Sequence, residues 1–238
     1  MREKPIIFSG QMVMAILDGK KQQTRRVVKW EPRSSGLPKT HLHDFSRAFV
    51  DPGLGGGQYL KVPFAHPQDG WESDPKNDTL TRCYCPYGEI GDRLWVRESW
   101  SYFEHPEIYD CIRYKIDGHC QKPNFDRMTL EQCGSFEMNC DGIGCQDHRW
   151  RQSIHMPRLA SRITLEITGI RVERLHDVSE DDAKAEGCKE SICLPGDCGS
   201  FIPDFGNRWC EINGPDSWAA NPWVFVIEFK RLKQDHAA

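Results

Sequence analysis

Pro222-Trp223-Val224-Phe225-Val226-Ile227-Glu228-Phe229 reads as a β-strand that is apolar on both faces for most of its length. Successive side chains of a strand point to opposite faces, so a strand apolar on both has to be covered on both and belongs in the middle of a sheet. A second strand, Arg93-Leu94-Trp95-Val96-Arg97-Glu98-Ser99-Trp100, follows Gly91-Asp92 and places Leu94, Val96, Glu98 and Trp100 on one face. Further strands are predicted over 111–116, 162–167 and 170–173, the last two broken near Gly169. Near the start, 5–8 is a short apolar strand.

Helices fall between these strands. Ser9 caps one in which Val13, Ile16 and Leu17 share a face, and Gly19 sits where a helix stops. Ser179, with Glu180, Asp181 and Asp182 in the first turn and Gly187 at the end, marks a second, short helix. A third is expected around 207–212.

Residues 31–85 contrast with all of this. They carry Pro32, Pro38, Pro52, Pro63, Pro67 and Pro75 around Gly55-Gly56-Gly57 and read as a long, poorly regular excursion. Residues 119–148 are also polar and irregular. Five or more short strands, two or three short helices and no regular βαβ alternation predict an α+β fold, a small mixed β-barrel with short flanking helices and long loop insertions.

The 238 residues are enough for one large domain or two small ones, and 8 Trp and 11 Phe argue against disorder. No apolar run approaches 18 residues, and the short stretch Ile6-Ile7-Phe8 does not make a signal peptide; the expectation is a cytoplasmic protein with no membrane partner. A net charge of −4 excludes binding to nucleic acid by bulk charge, leaving room for a local basic patch. Such a patch is offered by Lys20, Lys21, Arg25, Arg26, Lys29 and Arg33, opposed within 20–33 by Glu31 alone. An odd count of 11 Cys points to reduced thiols or metal ligands rather than a disulfide framework.

Several motifs come in a telling order. Gly19-Lys20-Lys21-Gln22-Gln23-Thr24-Arg25 follows a helix, Gly91-Asp92-Arg93-Leu94 opens a strand, Ser179-Glu180-Asp181-Asp182-Ala183 opens a helix, and Val226-Ile227-Glu228-Phe229-Lys230 closes the chain. Together with His155-Met156-Pro157-Arg158, Ala160-Ser161-Arg162-Ile163 and Asn221-Pro222-Trp223-Val224, they resemble the ASCH domain family of PUA-like β-barrels, in the larger form found in phages and prophages. The resemblance covers 4–30, 86–118, 149–187 and 203–232. It implies one elaborated ASCH domain over 1–238, with 31–85 and 119–148 as insertions. PUA-like barrels generally bind RNA, and some small ASCH proteins resemble amidohydrolases that deacetylate N4-acetylcytidine. Motif matching carries their catalytic residues onto Lys21, Thr24 and Glu186. The small enzymes have a Thr directly after the Lys, where this chain has Gln22, and this chain is more than twice their usual size.

On chemistry alone, Thr24 close to Lys21 makes a nucleophile and activator if the lysine is at least partly neutral, which burial or the cations Lys20, Arg25 and Arg26 would favour. The plainer reading is an exposed basic turn with no chemistry. Glu186 lies in the last turn before Gly187, where the helix dipole opposes a carboxylate by about 0.3–1 kcal/mol. A compensating cation or a proton-transfer role is one explanation, and an exposed pair with a neighbour such as Lys189 is the other. Glu98, on the core face of its strand, is either a buried pair with Arg25, Arg26 or Arg162, or a ligand-facing acid. Arg25, Arg26, Glu98, Arg158 and Arg162 make up the candidate substrate or nucleic-acid surface. Trp95, Trp100, Trp223 and Phe225 read as core before they read as base-stacking platforms. Cys133, Cys140, Cys145 and His148 end in C-x4-C-x2-H and are candidate ligands of a structural zinc, with free thiols as the alternative. No cofactor is required for the catalysis implied.

Two classes of function follow. One is amide hydrolysis on an N4-acyl-cytidine-type nucleoside. The other is a non-catalytic RNA-binding module, with a ribonuclease on the same scaffold as a further possibility and RNA or a modified nucleoside as the partner in every case.

Overall fold

A computed structural model describes residues 1–28, 85–103, 111–121, 150–191 and 199–232, and the backbone of four short strands between 42 and 83. Twelve strands, β1 to β12, and three α-helices, α1 to α3, lie in these stretches, joined by short 3-10 turns. The mixed α+β class is therefore as expected.

The main sheet has the strand order β1-β7-β11-β12-β2. Its strands are β1 (Glu3–Ile7), β2 (Gln23–Val27), β7 (Arg93–Arg97), β11 (Thr164–Arg174) and β12 (Trp223–Leu232). β1 pairs with β7 in parallel, and β7 pairs with β11 antiparallel, as does β12 with β2. Among the described residues the order runs from β1 to β2 as an open sheet, with no pair closing it into a barrel. β12 lies inside the sheet, as its two apolar faces require, and Val224, Phe225, Val226, Ile227 and Phe229 are all buried.

The chain divides into two compact units. The first comprises Met1–Gln22, Gly91–Glu166 and Lys230–Ala238, and the second Gln23–Ile90 and Ile167–Phe229. Strands β11 and β12 run from one into the other. In the first unit, α1 (Gly10–Leu17) follows β1; the Ser9 hydroxyl accepts the Met12 N–H at its start, and Gly19, just past its end, has φ of 72°. A three-stranded sheet, β8 (Trp100–Phe103), β9 (Cys111–Tyr114) and β10 (Cys120–Gln121), packs Trp100, Ile112 and Tyr114 with Met156 and Ala160. In the second unit, α2 (Glu180–Ala185) and α3 (Ile202–Asn213) pack Ala183, Phe205 and Trp209 with Leu175, Val178, Val224 and Val226.

The structure corrects four expectations. The strand predicted over 93–100 is two: β7 ends at Arg97, and Trp100 opens β8. Backbone groups at the junction find other partners, the Ser99 carbonyl taking the Lys115 N–H and Trp100 exchanging bonds with Arg151. The break at Gly169 does not occur, because β11 continues through it. A Cβ at Gly169 would come within 2.6 Å of the Glu228 carboxylate, so this glycine serves a close approach and not a break. The excursion 31–85 contains β3 (Leu42–His43), β4 (Phe49–Asp51), β5 (Tyr59–Ala65) and β6 (Leu80–Cys83), all paired to β5. Pro63, one of the prolines that suggested irregularity, lies within β5 itself. Helix α3 begins five residues earlier than the predicted 207, with Pro203 in its first turn, where a missing N–H costs nothing.

Candidate functional site

Strand β2 sets the site. Its pairing places Thr24 opposite Ile227 and Arg25 opposite Val226, the apolar middle of β12. The segment is thus drawn into the interior by the strand beside it. Lys21, Thr24 and Arg25 are 2%, 2% and 4% exposed. The exposed basic turn, the plainer sequence reading, is overturned at these positions. Lys20 and Gln22 are exposed, and Lys29 and Arg33 of the predicted basic patch lie outside the described residues.

Arg25 is the hub of the second unit. Its Nε and Nη2 donate to Glu173 Oε1 at 3.1 and 2.6 Å, Nη2 also lies 3.1 Å from Asp182 Oδ2, and Nη1 donates to Glu186 Oε1 at 3.3 Å. The guanidinium carbon stands 5.5 Å from the centre of the Phe205 ring. Arg171 joins the same carboxylates from the other side: Nε reaches Glu173 Oε2 at 3.1 Å, Nη2 reaches Asp182 Oδ1 at 2.5 Å, and Nη1 pairs with Glu228. Gln23 donates to both the Asp182 side chain and its backbone carbonyl. Burial would raise the Asp182 carboxyl, but hydrogen bonds from Gln23 and Ser179 and the charge of Arg25 outweigh it and hold the group well below the usual aspartate range.

Glu186 is the C-cap of α2 and is buried, with Arg25 as its cation. The compensation expected for a carboxylate at a helix C-terminus is present, supplied by strand β2 rather than by Lys189. The Thr24 hydroxyl makes no hydrogen bond among the described residues. Lys21 belongs to the first unit, with its ammonium 5.7 Å from the centre of the Phe8 ring.

The candidate surface residues are placed differently from one another. Arg162 donates through Nε and Nη2 to the two oxygens of Glu98 at 2.9 and 2.8 Å and through Nη1 to Asp117 at 2.7 Å. Glu98 is thus the buried-pair alternative, with Arg162 as the partner. Burial pushes its carboxyl above the ordinary glutamate value while Arg162 pulls against it. Arg158 is held by Glu3 at 2.9 Å and by the Thr164 hydroxyl. Arg26 lies over the Tyr87 ring. Arg25, Arg158 and Arg162, proposed for an external ligand, therefore spend guanidinium donors on the chain's own side chains. Trp95, Trp100 and Phe225 are core, as expected of them. Cys133, Cys140, Cys145 and His148 lie outside the described residues. Among the described residues, no group of three or more His, Cys, Asp or Glu is arranged to hold a metal, and no helix is long and apolar enough to cross a membrane.

Sequence reading missed Glu173, Asp182, Arg171 and Gln23 as members of this network. The signal was available in part: Glu173 and Arg171 alternate along a predicted strand with a charge on one face. Only the pairing of β2 within the main sheet brings Arg25 to them. Scanned against family models, curated proteins and solved structures, the chain matches none of them.

Proposed function

We propose that the protein is an amidohydrolase of ASCH type, built on a PUA-like variant of the mixed fold, that removes the acyl group from an N4-acyl-cytidine-type nucleoside. The observation that carries this reading is burial. The lysine, threonine and glutamate chosen by motif alone are all at most 5% exposed, and lysine and glutamate are rarely so buried. Burial speaks against a solvated turn, and the Thr24 hydroxyl is not engaged by its described neighbours, as a nucleophile requires.

In the proposed reaction Thr24 Oγ attacks the acyl carbon and gives up its hydroxyl proton to a base, the role that the resemblance assigns to Lys21. The bond from N4 to the acyl carbon breaks, and the proton passes to N4 by way of Glu186, leaving an ester on Thr24. Water then cleaves that ester, so one amide and one water give the free amine and the carboxylic acid. No metal enters these steps. Because Arg25, Arg158 and Arg162 are engaged by carboxylates of the same chain, the small-ligand reading is preferred to a phosphate-backbone interface.

The test is incubation of the purified protein with N4-acetylcytidine, beside Lys21→Ala and Glu186→Ala, with cytidine release followed by chromatography. Release by the wild type, reduced about 100-fold or more in both variants, is expected. No release from folded wild type overturns the reading. Salt-dependent RNA affinity without turnover would then favour the binding module, and RNA cleavage the ribonuclease.

A further inference from the structure

Two guanidiniums and two carboxylates of the second unit close a ring: Arg25 to Glu173, Glu173 to Arg171, Arg171 to Asp182, and Asp182 back to Arg25. The charges within it balance. Each carboxylate divides its two oxygens between the two arginines, so each guanidinium plane is fixed by two separate groups. Gln23 and Ser179 brace Asp182 from outside the ring, and Glu228 braces Arg171. The ring itself is tied to three elements, β2, β11 and α2.

Glu186 is not part of the ring. It takes the remaining Nη1 edge of Arg25. Its backbone is set as the helix C-cap, but a glutamate side chain has three torsions of its own, and the helix carbonyls at that end repel its charge. A rigid cation at a fixed edge addresses both problems. A lysine in place of Arg25 would lack the fork that reaches Glu173, Asp182 and Glu186 together. The side chain of Arg25 has no exposed surface, so a substrate-binding role for it, as the sequence suggested, is replaced by an internal one.

We propose that Arg25 is a positioning residue: the ring holds its guanidinium rigid, and its Nη1 fixes the Glu186 carboxylate for proton transfer. This rests on the amidohydrolase reading above.

The experiment compares wild type with Arg25→Lys and Glu173→Gln on N4-acetylcytidine, measuring kcat and KM across pH, with crystal structures of the same proteins. Loss of orientation should lower kcat by about 100-fold in Arg25→Lys and less in Glu173→Gln, with KM within about twofold and the pH profile of kcat displaced. If KM rises while kcat holds, Arg25 touches substrate and the proposal fails. If kcat and the profile are both unchanged, it also fails. Should Arg25→Lys not fold, Glu173→Gln decides, because it loosens the grip on Arg25 and leaves the Arg25 charge facing Glu186 in place. A wild type without turnover overturns the amidohydrolase reading. The crystal structures then judge positioning separately: a Glu186 carboxylate that keeps its place in the variant overturns it, and one that swings away supports it.

Discussion

Arg162 lies over the Tyr114 ring, its guanidinium carbon 3.9 Å from the ring centre, while the fork of its donors closes on Glu98. Stacking and bidentate pairing use both properties that distinguish arginine from lysine. A buried pair of this kind is costly to break from one side, because the partner left behind keeps its charge without water. Arg162→Met should therefore cost about 3–5 kcal/mol in urea unfolding, and the double variant Glu98→Met with Arg162→Met should cost less than that single change. Equal or greater loss in the double variant would show that the packing, and not the stranded charge, sets the cost. The sequence placed Glu98 on a core-facing position and left it as either a ligand-facing acid or the partner of one of Arg25, Arg26 and Arg162. It did not choose among them, because the choice depends on which strand lies beside β7, and Arg162 is 64 residues away.

At the scale of elements, α2 shows how much a few local residues determine. Ser179, the cap read from the sequence, accepts the Asp182 N–H, and Asp182 accepts from the Ser179 hydroxyl and N–H in return, closing a capping box. The same Asp182 serves the ring around Arg25, and its folded-state pKa is held down. A depressed acid stabilises the fold above its unfolded value of about 3.9 and loses that contribution as pH falls toward the folded value. Asp182→Asn should accordingly be less stable at neutral pH and show a shallower loss of stability below about pH 4. Wild-type and variant stability curves running parallel from pH 5 to pH 2 would contradict this. Strand ends were less legible than caps. Gly169 was read as a break because glycine weakens strands in general, whereas here it admits the Glu228 side chain. The division of 93–100 into two strands follows from backbone bonds to Lys115 and Arg151, residues that no local pattern connects to it.

For the molecule as a whole, the two compact units are not separate lengths of chain. Each is assembled from two or three segments, and β11 and β12 are shared between them. Neither unit can lose these strands without cutting into the other. Calorimetry should give one unfolding transition, with calorimetric and van't Hoff enthalpies in agreement. Two resolved transitions would show that the units unfold independently. What the sequence determined by itself is local: the helix caps at Ser9 and Ser179, the stops at Gly19 and Gly187, the apolar faces of β12, and the α+β class that these elements add up to. Each depends on residues within about one helical turn or one strand length, where side-chain spacing and backbone bonding are linked directly. The tertiary structure alone decided that Lys21, Thr24 and Arg25 lie inside and that Arg25 meets Glu173, Asp182 and Glu186. A basic segment is drawn into the interior when an apolar strand pairs along it and carboxylates from distant segments balance its charge. Those partners lie 148 to 161 residues away along the chain. No spacing rule spans that distance, because such contacts are set by which strands become neighbours in the sheet.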